Sequence, residues 1–251
     1  MGGVTEALRA SVDRLRSLVK DMGDADFAAQ AYPTEWTVAD TLSHLGSGAV
    51  INRRRLEAGL EGQPVPDGFN QSVWDAWNAK PPAAQVQDAL AEDERLVEAI
   101  GALGPEDRER FHTQMGPMTL DFSAFVTARL SEHALHTWDI AVVRDPKAQV
   151  GEEAVPHLLG RIAFMASFHA KPLGSDGVIH VRTTDPERNF TVILMPDKVD
   201  FSAGGEGTPD IEMPAEALIR LIYGRLDLDH TPSVTDASHA LDDLRLAFPG
   251  S

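Results

Sequence analysis

The sequence predicts an α+β protein in which an N-terminal four-helix bundle precedes a small α+β domain with an antiparallel sheet. Two observations lead to this prediction. Apolar residues recur every three or four positions before Asp176, which is typical of amphipathic helices. After Asp176, apolar and polar residues alternate in β-rich runs separated by Asp-Pro and Pro-Asp turns. We therefore assign residues 1–172 to the bundle and residues 173–251 to the second domain.

Four helical segments form the predicted bundle. Thr37 occupies an N-cap position with Asp40 three residues later, and Pro82 favours a helix start. Asp145-Pro146 stops the last of the four helices. Helices joined by loops, with polar residues on their inward faces, are typical of a bundle that holds a site between facing helices. The expected helices cover residues 5–22, 38–56, 82–100 and 120–143, with a fifth over 152–170 and an extended excursion over 111–119.

The C-terminal part is predicted to contain antiparallel strands followed by two short helices. The expected strands cover residues 178–183, 189–195 and 198–202, and the expected helices cover 215–223 and 237–248. Asp236 is the expected N-cap of the last helix.

Composition excludes several classes of function. The formal net charge of −17 would repel a nucleic-acid backbone. The chain has no cysteine, so a metal must be bound by histidine and carboxylate, and thiol chemistry would need an external thiol. We find neither an apolar run of membrane-spanning length nor a signal-peptide pattern. We therefore expect a cytoplasmic protein without a membrane partner, as a monomer or homodimer.

Three residues in two of the predicted helices are candidates for a metal site. Glu132 and His136 are four residues apart and share a helix face, with Asp139 one turn further along. His44 lies in the second helix, one turn after Asp40, which is placed to orient its imidazole. Two imidazoles and one carboxylate would leave a zinc position open, as in catalytic sites. Spacing alone leaves the alternative of solvated or capping side chains open.

Two motifs resemble a known family. They are Glu35-Trp-Thr-Val-Ala-Asp-Thr-Leu-Ser-His-Leu45 and Arg129-Leu-Ser-Glu-His-Ala-Leu-His-Thr-Trp-Asp-Ile140. Together they are similar to the DinB-like bundles of the mycothiol-dependent maleylpyruvate isomerase family. The resemblance implies that His44, Glu132 and His136 bind a divalent metal, usually zinc. It also implies a C-terminal domain of the sterol-carrier-like type.

The resemblance implies the chemistry as well. Mycothiol, a small cysteine-bearing sugar thiol, would be the cosubstrate, and a metal would lower the pKa of its thiol. Arg225 resembles an arginine that is associated with activity in the isomerases, where a guanidinium would hold a carboxylate. The alternative is that Arg225 interacts with the carbonyl groups at a helix end.

Other residues have simpler interpretations. Trp36 and Trp138 are expected to pack in the bundle rather than to form a substrate platform. His133 is expected at the bundle flank, because it lies about 100° around the helix from Glu132. The run Arg53-Arg54-Arg55 is expected to be a solvated helix face, with an anion site as the minority interpretation. Arg182 is a weaker candidate for a substrate contact.

The sequence therefore predicts a metal-dependent enzyme that uses mycothiol, or a similar low-molecular-weight thiol, on a small electrophile. The reaction would be isomerisation or S-transfer. Two alternatives remain open. One is a non-catalytic binding protein with a hydrophobic cavity in its C-terminal domain, and the other is a zinc-dependent hydrolase with Asp139 as base.

Overall fold

The structure is a computed structural model that describes residues 3–205, 207–236 and 239–250. The chain divides into two compact units, Met1–Ala154 and Val155–Ser251. The predicted α+β class is confirmed. The division between the units comes before the expected one at residues 172 and 173, because the short helices after Ala154 pack against the sheet and helix of the second unit.

The first unit is mainly helical. In chain order it contains α1 (Val4–Val19), α2 (Asp24–Phe27), α3 (Val38–Glu61), α4 (Phe69–Asn78), α5 (Pro82–Gly101), α6 (Pro105–Arg110), β1 (His112–Met115), β2 (Met118–Asp121) and α7 (Phe122–Ala141). The strands β1 and β2 form an antiparallel hairpin within the expected extended excursion, with the turn at Gly116.

The four long helices form a closed ring, which is the predicted bundle. Helix α3 packs against α5 and α7, and α1 packs against the same two helices. The core between them contains fully buried leucines, among them Leu15, Leu42 and Leu45. Burial of these apolar faces provides the main stabilising contribution to the bundle.

Helix α3 is fixed at its start and along its length by local features of the sequence. The Thr37 hydroxyl accepts a hydrogen bond from the Asp40 amide at 3.1 Å, and the Asp40 carboxylate accepts one from the Thr37 amide at 2.9 Å. This capping box is the expected one. At Gly46, a Cβ atom would lie 2.3 Å from the Trp77 ring and 2.7 Å from Ala89 Cα. Glycine at this position therefore permits the close approach of α3 to α5.

The second unit combines short helices with one sheet. It contains α8 (Val155–Leu159), α9 (Ile162–His169), β3 (Gly177–Thr184), β4 (Arg188–Leu194), β5 (Val199–Ala203), β6 (Ile211–Pro214), α10 (Ala215–Ile222), β7 (Thr235–Asp236) and α11 (Ala240–Ala247). The Asp236 carboxylate accepts hydrogen bonds from the amides of Ala240 and Leu241, so it caps α11 as predicted. Ala237 and Ser238, part of the expected helix, lie outside the described residues.

The sheet has the strand order β5-β4-β3-β6-β7. Its strands β3, β4 and β5 correspond to the three expected strands and pair antiparallel, β3 with β4 and β4 with β5. The short strand β6 was not predicted, and it pairs parallel to β3. The expected single helix over residues 152–170 is also corrected, because it is interrupted by a turn at Gly160 and Arg161 and forms α8 and α9. No helix within the described ranges is long and apolar enough to cross a bilayer.

Candidate metal centre

The structure brings the three candidate ligands together in the first unit. His44 lies on α3, and Glu132 and His136 lie on the adjacent helix α7. Glu132 Oε2 is 3.3 Å from His44 Nε2 and 3.7 Å from His136 Nε2. One ligand atom from each residue lies within 4.8 Å of the other two. Two nitrogen atoms and one carboxylate oxygen therefore converge on one point.

The geometry and chemistry of this group fit a zinc ion. Zinc bound to histidine nitrogen and carboxylate oxygen has bonds of about 2.0–2.2 Å, which places tetrahedral ligand atoms about 3.3–3.6 Å apart. The two distances from Glu132 Oε2, 3.3 and 3.7 Å, are close to that spacing. If these three residues held a zinc ion, one tetrahedral position would remain for a small molecule, which is the pattern of catalytic zinc sites.

A buried carboxylate orients one of the two imidazoles. His136 Nδ1 donates a hydrogen bond to Asp139 Oδ2 at 2.8 Å, and Asp139 is completely buried. Because Nδ1 is engaged, the lone pair on Nε2 points towards the centre. The carboxylate of Asp40 does not orient His44 as the sequence suggested. It accepts hydrogen bonds from the amide and the hydroxyl of Thr37 instead.

An aromatic side chain lies against both imidazoles. The ring of Trp36 is half-buried, with its centroid 5.0 Å from that of His44 and 5.8 Å from that of His136. It restricts the two rings by packing, so it has a local role at the centre that was not expected. Trp138 packs in the core as predicted, and its Nε1 donates to the Ala148 carbonyl at 2.8 Å.

The electrostatics of the centre favour an ionised carboxylate. Partial desolvation of the carboxyl group would raise the pKa of Glu132, but hydrogen bonds and charge interactions with His136 and His44 outweigh that effect and hold its pKa well below the usual range. The side chain is 55% exposed. Glu132 is therefore an anion at neutral pH and remains accessible from solvent.

A second polar cluster, which the sequence pattern does not predict, lies inside the bundle. Arg129 Nη2 donates to Asp93 Oδ1, and His133 Nε2 lies 3.3 Å from Asp93 Oδ2. The other ring nitrogen of His133 lies 2.9 Å from the Ser11 hydroxyl. His133 is fully buried, so its expected position at the flank was wrong. The sequence contains one indication of this cluster, because Asp93 is a charged residue on the otherwise mainly apolar buried face of α5, one turn after Ala89.

The charge on this buried aspartate is stabilised by Arg129 and His133. Burial would raise the pKa of Asp93, but the interactions with Arg129 and His133 outweigh it and place its pKa below the usual range. The cluster joins α1, α5 and α7, and its His133 directly follows Glu132 in the chain.

The two arginines predicted for substrate contact lie in the second unit. Arg225 follows α10, and its Nη1 donates to the Tyr223 carbonyl at 3.1 Å. Its role towards the centre stays a prediction. Arg182 on β3 forms an ion pair with Glu212 on β6, with Nε and Oε2 3.3 Å apart. Its cross-strand pairing therefore already accounts for its charge.

Comparisons with known proteins agree with this architecture. Two crystal structures have a similar fold, one of the mycothiol-dependent maleylpyruvate isomerase and one of a histidine-to-alanine mutant of that enzyme. Each is 13% identical to this chain, with a TM-score of 0.65 over 90% of this chain and 93% of the other. No curated protein sequence gives a significant match.

The sequence profile of the mycothiol maleylpyruvate isomerase N-terminal domain matches residues 8–141. The matched segment covers more than half of the chain and contains all three residues of the centre, and it confirms the resemblance seen in the two motifs. The chain belongs to the mycothiol maleylpyruvate isomerase family of enzymes.

Proposed function

We propose that this protein is a metal-dependent enzyme that uses mycothiol, or a similar low-molecular-weight thiol, to isomerise a small electrophile or to transfer sulfur to it. His44, Glu132 and His136 would hold a divalent metal, with zinc as the best match to the donor set. The observation that carries the proposal is the convergence of these ligand atoms, with Asp139 behind His136, in a chain that has no cysteine.

The residues of the centre have separate roles in the proposal. A zinc ion would lower the pKa of a bound thiol, so that the thiolate is available at neutral pH. Asp139 would keep the Nε2 lone pair of His136 directed at a bound ion, and Trp36 would shield one side of the two imidazoles from water. The exposed side of Glu132 leaves room for the thiol to approach. Arg225 is proposed to hold a carboxylate of the electrophile bidentately.

The thiol chemistry needs no nucleophile from the protein. The thiolate sulfur adds to one alkene carbon of a cis-enone, and the carbon–carbon double bond becomes a single bond that can rotate. Expulsion of the same thiolate restores the double bond in the trans arrangement, so the thiol is regenerated. In S-transfer the new carbon–sulfur bond is kept, and the displaced group or an added proton balances the step.

The structure favours the thiol-dependent function over hydrolysis. A zinc-dependent hydrolase would use Asp139 as a base, but this carboxylate is completely buried and accepts a hydrogen bond from His136. It is therefore not available to a water molecule at the centre. The binding-protein alternative does not account for the convergence of three ligand atoms. The cytoplasmic location and the monomeric or homodimeric state stay predictions.

Metal content and thiol dependence test the proposal together. Purified protein should contain close to one zinc or similar ion per chain, and His44→Ala should lose both the ion and the mycothiol-dependent turnover of a cis-enone. His157→Ala, at a half-buried histidine outside the centre, is the matched control and should keep both. The proposal fails if His44→Ala retains the metal and the turnover, or if turnover proceeds equally without a thiol.

A further inference from the structure

The three consecutive arginines of α3 differ in their partners. Arg53 forms ion pairs with Glu57 and Glu92 at 3.5 and 3.3 Å, and Arg54 pairs with Glu57 at 3.6 Å. Arg55 has no carboxylate within ion-pair distance in the described part of the chain. Its Nη1 lies 3.5 Å from the side-chain oxygen of Asn52, which is a long distance for a hydrogen bond. The expectation of one solvated arginine face therefore does not hold for Arg55.

Arg55 is also partly buried. Burial lowers the pKa of its guanidinium, although the group stays charged at any physiological pH. A half-buried cation with no carboxylate partner has lost part of its hydration without a compensating ion pair. An anion that entered from solvent would supply that missing interaction.

The guanidinium lines a cleft of about 700 Å³ in the first unit. The cleft lies between the end of α3, the loop over residues 62–68, the start of α4 and the β1–β2 hairpin. Its volume is within the range of small-molecule sites. Arg55 is eleven residues after His44 on the same helix, which corresponds to roughly 16 Å along its axis. The cleft is therefore separate from the metal centre.

The walls of the cleft offer an aromatic surface and hydrogen-bonding groups. Trp74 on α4 is 42% exposed and lines the cleft together with Phe69. On the hairpin side, His112 uses Nδ1 to donate to the Arg110 carbonyl at 3.2 Å, which leaves its Nε2 for another partner. An exposed tryptophan that lines the same cleft as a cation suits a ligand with one flat apolar part and one anionic part.

We propose that this cleft is a second binding site, for a small organic anion in which a carboxylate is attached to a planar unsaturated or aromatic body. The carboxylate pairs with the Arg55 guanidinium, whose fork of donors matches two carboxylate oxygens. The planar part packs against Trp74. The net charge of −17 gives no general attraction for anions, so binding here depends on this local cation. One carboxylate, that of Asp67, also lines the cleft and opposes the ligand.

Benzoate is a suitable probe, and binding is measured by calorimetry and by the fluorescence of the full chain. Arg55→Gln should weaken benzoate binding by at least about tenfold, because a charge-assisted pair is lost. Arg54→Gln is the matched control on the neighbouring residue and should leave the affinity unchanged. Asp67→Asn should tighten binding, and benzamide, which is neutral, should bind at least about tenfold more weakly than benzoate.

Two further variants distinguish binding in this cleft from binding at the metal centre and from a loss of folding. Trp74→Leu removes the exposed ring and should weaken benzoate binding without lowering the thermal midpoint, so it tests the site even if Arg55→Gln is unstable. His44→Ala should bind benzoate normally, since the metal centre is elsewhere. The proposal is overturned if benzoate does not bind, if Arg55→Gln and Trp74→Leu bind it normally, if binding is lost in His44→Ala, or if inorganic phosphate binds as tightly as benzoate.

Discussion

Replacement of Asp139 by asparagine should weaken metal binding without removing any ligand. In the wild-type chain, His136 Nδ1 donates to the Asp139 carboxylate at 2.8 Å, and Asp139 is fully buried. Asparagine retains the shape and one carbonyl oxygen but replaces the second carboxylate oxygen with an amide nitrogen. The imidazole then becomes a weaker electron donor, and its ring orientation is less firmly held.

The magnitude follows from the type of contact. Loss of a carboxylate behind a metal-bound histidine typically reduces metal affinity by about 10- to 100-fold. This corresponds to about 1.4–2.8 kcal/mol of binding free energy. We expect the upper part of this range for Asp139→Asn, since the carboxylate is completely buried and its bond to His136 is not weakened by solvent.

The assay is a zinc titration of metal-free protein against a competing chelator, with Asp40→Ala as the control. Asp40 lies one turn before His44, but its carboxylate accepts hydrogen bonds from Thr37. Asp40→Ala should therefore cost about 1 kcal/mol of stability by loss of the capping box and leave zinc affinity unchanged. Equal zinc affinities for Asp139→Asn and wild type would refute the role of Asp139. A loss of zinc affinity that is larger in Asp40→Ala than in Asp139→Asn would also refute it.

Three other predictions concern stability. Asp93→Asn leaves the Arg129 charge buried without its partner and should cost about 3 kcal/mol at pH 7. The pKa of Asp93 is lowered by folding, so its charge stabilises the fold at pH values above the unfolded pKa of about 4, and this stabilisation is lost progressively as the pH falls below that value. The difference in unfolding free energy between Asp93→Asn and wild type should therefore shrink in acid. A constant difference in urea titrations from pH 7 to pH 2 would contradict this. Gly46→Ala should destabilise the fold by about 1–3 kcal/mol, because the added Cβ would clash with the Trp77 ring. Gly101→Ala should stabilise it by up to about 1 kcal/mol, because the added Cβ would meet no other atom within 4 Å. Shifts of the thermal midpoint in the same direction for both variants would contradict the packing argument. Zinc at about 100 times its dissociation constant should stabilise the wild-type chain by about 2.7 kcal/mol, and a thermal shift that survives in His44→Ala would show that the ion binds elsewhere.

The parts of the fold that depend on short-range patterns were predictable from the sequence. The helix spacing, the Thr37 capping box and the start of α5 at Pro82 are all set by residues within one or two turns. Glu132 and His136 share one helix face because they are four residues apart, which follows from helix geometry alone. Because α3 and α7 each have one inward face, the structure also brings His44 near this pair.

Features that depend on distant partners were not predictable in the same way. Asp40 and Asp139 have similar spacing from a histidine of the proposed metal site, and only the packed structure shows that one caps a helix and the other supports His136. The burial of His133 depends on Asp93, which is 40 residues away in the chain. The parallel pairing of β6 with β3 likewise requires a long connection that local alternation does not reveal.

The position at which the two units divide determines where the bundle can be cut for separate expression. Helix α9 buries Ile162 and Ala166 and packs against β5 and α10 of the second unit. A fragment that ends at residue 172 would keep this helix but remove its packing partners, and the exposed apolar surface would favour aggregation. A fragment that ends at Ala154 avoids this exposed surface. It also retains the bidentate ion pair between Arg14 and Glu153 near its C-terminus. Such a fragment is the better starting material for studying the metal centre in isolation.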